Sequence, residues 1–102
     1  MFSRVARYQI PEENLDAAIG AFEQAMNELR EIEGCEAGYL LVDRDNCTAI
    51  SITFWADRAS LEASEVRASR LRSQAVGPYG GEIQAVDRCE VAFDFSGVAR
   101  AT

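Results

Sequence analysis

Residues 38–55, Gly-Tyr-Leu-Leu-Val-Asp-Arg-Asp-Asn-Cys-Thr-Ala-Ile-Ser-Ile-Thr-Phe-Trp, constrain the fold more than any other stretch of the chain. They form two extended runs joined by the polar turn Arg44, Asp45 and Asn46, where Asp and Asn tolerate left-handed backbone and bond their own main chain. The second run alternates: Ile50, Ile52 and Phe54 point one way, and Ala49, Ser51, Thr53 and Trp55 point the other. The first face is wholly apolar and is expected to lie under a helix. In the first run Tyr39 and Leu41 share one face and Leu40 and Val42 the other, so both sides call for cover.

Helical periodicity flanks this hairpin. From Glu12 to Ile32 the residues Leu15, Ala18, Ile19, Phe22, Ala25, Met26, Leu29 and Ile32 recur at three- and four-residue steps, one continuous stripe. Pro11 opens the helix and Gly34 suits its end. Gly20 lies inside it, where close packing on the sheet would explain a glycine. A second helix runs from Arg58 to about Ala75, with Asp57 as its cap and Leu61, Ser64, Ala68, Leu71 and Ala75 as its stripe. Arg67, Arg70 and Arg72 crowd its later half, where cations favour the helix end and could form an anion-attracting rim. Phe2 to Ile10 reads as a first strand, with Arg4, Ala6 and Tyr8 on one face. Glu82 to Phe95 reads as the last strand, after the loop Gly77-Pro-Tyr-Gly-Gly81 with Tyr79 at its tip.

The order is therefore β-α-β-β-α-β. Its connections suit an α+β, ferredoxin-like fold: a four-stranded antiparallel sheet with two helices on one face. Residues 1–96 form one domain and 97–102 a tail. The helix-free face is expected to carry Arg4, Ala6, Tyr8, Tyr39, Leu41, Ser51, Thr53 and Trp55. Such a face exceeds what monomers leave exposed, so a homodimer closing two such faces together is the expected partnership.

Composition narrows the chemistry. The net charge is −7, which disfavours nucleic acid. No apolar run is long enough to span a membrane, and the N-terminus has no signal-peptide stretch, so the chain reads as cytoplasmic. Cys35, Cys47 and Cys89 fit neither a disulfide framework nor a metal site, and are expected to be buried hydrophobes. Histidine and lysine are absent. The missing His removes Ser-His-Asp and Cys-His nucleophile systems and the usual nitrogen ligands of zinc and haem.

The β-α-β-β-α-β order, the Pro-Glu-Glu start of the first helix, Gly34 to Leu41 leading into the hairpin and the Phe54-Trp55-Ala56-Asp57 step resemble the antibiotic-biosynthesis monooxygenase-like family of dimeric α/β-barrels, over about residues 2–95. The resemblance implies a small cofactor-independent monooxygenase acting on an aromatic or polyketide-like molecule. The haem-degrading branch uses a His ligand that this chain lacks, so no cofactor is expected. A Trp ending the third strand lines the cavity of better understood members, and Trp55 stands there. The Asn that accompanies it in the family has no counterpart on the predicted cavity face.

Such an oxygenase lets an ionised, electron-rich substrate react with oxygen. Trp55 and Arg4 are the catalytic candidates, Arg4 as the fixed charge that stabilises a phenolate or enolate. Tyr8, Tyr39, Ser51, Thr53 and Tyr79 are the ligand-binding candidates. Each also has an ordinary structural role, Trp55 as a core or interface anchor and the tyrosines as interface aromatics. A non-enzymatic dimeric barrel, binding a small ligand or serving as an accessory subunit, is the alternative. Enclosed space beside Trp55 separates the two.

Overall fold

A computed structural model of the protein describes residues 1–95. The proposed tail at 97–102 lies outside the described residues. Seven main elements follow one another: β1 (Phe2–Gln9), α1 (Leu15–Leu29), β2 (Cys35–Asp43), β3 (Thr48–Trp55), α2 (Arg58–Ala63), α3 (Glu65–Val76) and β4 (Glu82–Glu90). The four strands make one antiparallel sheet in the order β2-β3-β1-β4, open at both edges, with the helices on one face. This is the ferredoxin-like α+β arrangement that the sequence predicts. No helix among the described residues is long and apolar enough to cross a membrane.

Each element follows from local chemistry, with informative departures. A single 3-10 turn, Glu12–Asn14, precedes α1. The helix buries Leu15, Ala18, Phe22 and Ala25 and stops at Leu29, three residues short of the predicted Ile32. Turns then lead to Gly34 at φ 90°, a left-handed backbone that glycine adopts without strain. A β-carbon there would collide with the Ser60 side chain of α2, so the glycine also permits close approach. Gly20 does not: it is exposed and nothing stands near the place its β-carbon would take. The hairpin turn puts its left-handed residue at Cys47, φ 52°, while Asn46 bonds back to the Asp43 carboxylate through its backbone N–H and its side-chain amide.

The second predicted helix is two. It breaks at Ser64, whose hydroxyl donates to the Leu61 carbonyl at 2.7 Å. Asp57 caps α2 as expected, accepting from the Ser60 N–H at 2.8 Å. β4 ends at Glu90, which pairs with Phe2 at the start of β1; one further main-chain bond, from the Val91 N–H to the Met1 carbonyl at 2.9 Å, closes the end of the ladder. Phe93 and Phe95, predicted to continue β4, lie outside it and are exposed. The cysteines are free; Cys35 and Cys47 are half-buried and Cys89 is exposed, so none is the buried hydrophobe expected.

The largest correction concerns the faces of the sheet. Paired residues share a side, and the register pairs Arg4 with Thr53, Ala6 with Ser51, Tyr8 with Ala49 and Phe2 with Trp55. That set lies under the helices, not on the open face. Tyr8 packs against Phe22 of α1, ring centroids 4.7 Å apart, and Arg4 bonds to residues of α2 and α3. The helix-free face carries Val5, Ile50, Ile52 and Phe54 instead, together with Tyr39 and Leu41, which were expected there. The expectation that Ile50, Ile52 and Phe54 sit beneath a helix is thus reversed. Ala6 and Ala49 are small residues in the buried cluster beside Ala18, Ala25 and Ala75, and they let the helices lie close.

Candidate functional site

The site forms where four elements meet over the buried face of the sheet. β1 projects Arg4 and Tyr8, β3 projects Ser51 and Thr53, and α1 and α3 close the top with Phe22, Ala25, Met26, Leu29, Ala68, Leu71 and Arg72. They enclose a cavity of about 30 Å³. That volume holds a water or two, and a buried polar site of this size is where ordered water is found.

Arg4 dominates the electrostatics. Its side chain is 3% exposed. Nη2 donates to the Leu61 carbonyl and the Ser64 hydroxyl, each at 2.9 Å, and to Glu65 Oε1 at 3.0 Å; Nε donates to the same oxygen at 3.2 Å. The break between α2 and α3 therefore coincides with the acceptors of the guanidinium. Nη1, on the far corner of the fork, is buried with no hydrogen-bond partner among the described residues. An unmade hydrogen bond at a buried cation is costly, roughly 1–3 kcal/mol or more, so a water or a ligand oxygen beside it is favoured. Burial pulls the Arg4 guanidinium below its ordinary value while Glu65 pulls it up. It remains a cation at neutral pH, as arginine does.

Glu65 holds this cation and is itself held. Arg88 of β4 donates to both its oxygens, Nη2 at 2.6 Å from Oε2. The Arg88 hydrogen bonds, followed by the charge and hydrogen bonds of Arg4, push the Glu65 carboxyl down to about 2 against its burial. Glu65 is thus a fixed anion with little basicity. Tyr8 shares a 2.9 Å hydrogen bond with Ser51, and burial raises its phenol above the ordinary value, so it stays neutral. No carboxylate or thiol lines the inner cavity.

The predicted residues divide into three groups. Arg4, Tyr8, Ser51 and Thr53 converge on the cavity. Trp55 is fully buried behind it: its Nε1–H donates to Thr53 Oγ1 at 2.9 Å, and its ring lies 5.5 Å from the Arg4 guanidinium carbon. It does not line the cavity; it is the platform on which Arg4 rests. Tyr39 and Tyr79 are elsewhere. Tyr39 is on the open face against Phe54, and Tyr79 lies in a 3-10 turn at the end of α3, where its carbonyl accepts from Asn14. Of the arginine rim, Arg72 reaches the cavity. Glu65, Met26 and Leu29 went unrecognised. Met26 and Leu29 read as stripe residues of α1, and nothing in the sequence distinguishes Glu65 from other helix-surface acids.

A second, larger space adjoins the first. A cleft of about 410 Å³ opens between the end of α1 and β2, lined among others by Met26, Leu29, Arg30, Cys35, Glu36, Gly38 and Thr53. Glu36 is the extra residue of a bulge, where Cys35 pairs with Trp55 and Ala37 with Phe54, and such irregularities re-aim strand ends beside sites.

A ferredoxin-like sheet with a small cationic cavity between strands and helices, beside a larger open cleft, defines a small α+β domain. The family model described as antibiotic biosynthesis monooxygenase matches residues 1–73. The chain belongs to that family. A crystal structure of an antibiotic biosynthesis monooxygenase is 20% identical, with TM-score 0.70, and the match covers 91% of this chain and all of that one. A Deinococcus radiodurans protein provisionally given the same name is 9% identical with TM-score 0.77, covering 93% of this chain and 96% of its own. Rv0793 from Mycobacterium tuberculosis is 17% identical with TM-score 0.72, covering 93% and 98%. At these identities the likeness is one of fold. Comparison with the curated proteins gives no match.

Proposed function

We propose that the protein is a small monooxygenase that uses no cofactor and acts on an aromatic or polyketide-like molecule held by Arg4 between the sheet and the helices. The observation that carries this reading is the Arg4 guanidinium: nearly wholly buried, fixed through Nε and Nη2, and unpaired at Nη1. A cation preorganised in this way stabilises an oxyanion as it develops, at no cost of reorientation. The substrate ionises from the enol form of a ketone, which leaves an enolate whose charge reaches the carbon that is CH₂ in the keto form, and this anion transfers an electron to oxygen. Carbon–oxygen bond formation gives a hydroperoxide, and loss of water leaves a carbonyl. One oxygen atom ends in the product and the other in water, with the substrate's CH₂ supplying the electrons.

No group lining the inner cavity is basic at neutral pH, so the proton leaves because the Arg4 cation stabilises the anion and lowers the pKa of the substrate itself. The reading includes a homodimer through the helix-free sheet face. Its test is oxygen uptake with electron-rich polyhydroxylated naphthalenes and anthrones. Turnover is expected, with Arg4→Met losing about 100-fold in kcat, the scale of one oxyanion donor. The rate should rise with pH along the substrate's own ionisation. Absence of oxygen uptake across such a panel sinks the reading.

The second reading is a non-enzymatic dimeric barrel that binds a small ligand or serves as an accessory subunit. The small inner cavity favours it, because about 30 Å³ does not admit an aromatic ring without movement. Binding without oxygen uptake would select it.

A further inference from the structure

The inner cavity and the outer cleft share three lining residues: Met26 and Leu29 of α1, and Thr53 of β3. These side chains are the wall between a buried cation and an open, ligand-sized space. Thr53 is committed, since its hydroxyl holds the Trp55 indole. Leucine has few ways to move. Methionine has three rotatable side-chain bonds and a soft thioether, and it changes shape cheaply.

The surroundings of Met26 fit that mobility. Its terminal methyl lies over Gly38 of β2, where a β-carbon would stand only 3.0 Å away. Gly38 pairs with Thr53, its φ is not in the left-handed region, and no turn requires a glycine there. What the missing side chain supplies is a slot that the Met26 tip fills, at the boundary of the two spaces.

We propose that Met26 is the specificity-determining residue of this site, and that the ligand which displaces it is a planar aromatic monoanion. With Met26 swung off Gly38, the two spaces become one of more than 400 Å³, within the range of small-molecule sites. The anionic oxygen enters the inner cavity and takes the free donor of Arg4, while the ring lies in the cleft along Gly38 and Leu29. Two guanidinium groups, Arg4 and Arg72, line the inner end and no carboxylate does, so that end selects an anion although the whole chain carries −7. The inference rests on the proposed function only for where the ligand sits, not for oxygen chemistry.

The test is calorimetric titration of the full chain with 2-naphthoate and 2-naphthamide, which share a shape and differ in charge. The carboxylate is expected to bind about ten-fold or more tighter than the amide, the scale of leaving a buried donor unpaired. Met26→Ala should tighten naphthoate binding by about ten-fold and admit a three-ring carboxylate, and Met26→Phe should weaken it by a similar factor. Met26→Leu, with matched unfolding curves for all variants, controls for folding. Equal binding of acid and amide, indifference to the residue at 26, or no naphthoate binding overturns the inference. Oxygen uptake is read separately. Binding that follows Met26 without turnover sinks the oxygenase reading alone, and turnover insensitive to Met26 sinks this inference alone.

Discussion

At Arg4 the chain places a cation where water is scarce and then surrounds it with acceptors from the break between α2 and α3. The cost of burying that charge is offset by Glu65, Leu61 and Ser64, and by the indole of Trp55 beneath it. Glu65→Gln removes the negative partner of a buried cation. We expect a loss of about 2 kcal/mol at neutral pH, below the full buried-pair range because the carboxylate is partly in water. The pH dependence has a definite sign. The folded Glu65 carboxyl titrates at about 2 against an ordinary value of 4.5, so its stabilisation is present above pH 4.5 and is lost as pH falls toward 2. Urea unfolding of the wild type and Glu65→Gln should therefore differ at pH 6 and converge near pH 2. A gap that persists unchanged at pH 2 would contradict the bridging role.

At the scale of elements, two glycines of similar appearance in sequence do opposite things. Gly20 is exposed on α1 with open space beside it. Gly20→Ala should stabilise the protein by about 1 kcal/mol through helix propensity and a less flexible unfolded chain. Gly34 combines a left-handed backbone with the Ser60 side chain lying where a β-carbon would go. Gly34→Ala should cost about 2 kcal/mol or more, since backbone strain and overpacking both contribute. Thermal unfolding of the two variants checks both signs. The break at Ser64 belongs to this scale as well. The stripe Leu61, Ser64, Ala68, Leu71 and Ala75 was legible and is buried as expected, but the break was not. It coincides with a partner sixty residues away in sequence, and local propensity carries no such information.

For the whole molecule, the open face of the sheet is the unfinished part. Tyr39 and Leu41, 58% and 48% exposed, lie beside Val5, Ile50, Ile52 and Phe54 on a surface without helices. An apolar sheet face of this kind is the surface through which the proposed homodimer would form, a second copy offering the same face in return. The expected mass by light scattering is twice 11.2 kDa at micromolar concentration, and Ile52→Asp should halve it while leaving the helix-side core folded. A wild-type chain that scatters as a single subunit would remove the dimer from the proposal.

Periodicity determined a great deal by itself. Alternation in β1 and β3 and the helical stripes set which residues share a side, and the element order set the ferredoxin-like topology. The alternation placed Arg4, Tyr8, Ser51, Thr53 and Trp55 on one side of the sheet, as the register has them, but it wrongly set Tyr39 and Leu41 beside them. Which side received the helices was decided only by the tertiary structure. A period of two says who stands together, not what covers them, and here both sides are apolar enough to need cover. The greasier side, Ile50, Ile52 and Phe54, faces away from the helices. The side with Arg4, Ser51 and Thr53 lies beneath them because glutamate, carbonyl and hydroxyl acceptors come together there only once α2 and α3 fold over β1. Burial of a charge depends on partners distant in the chain, so no local pattern could have announced it.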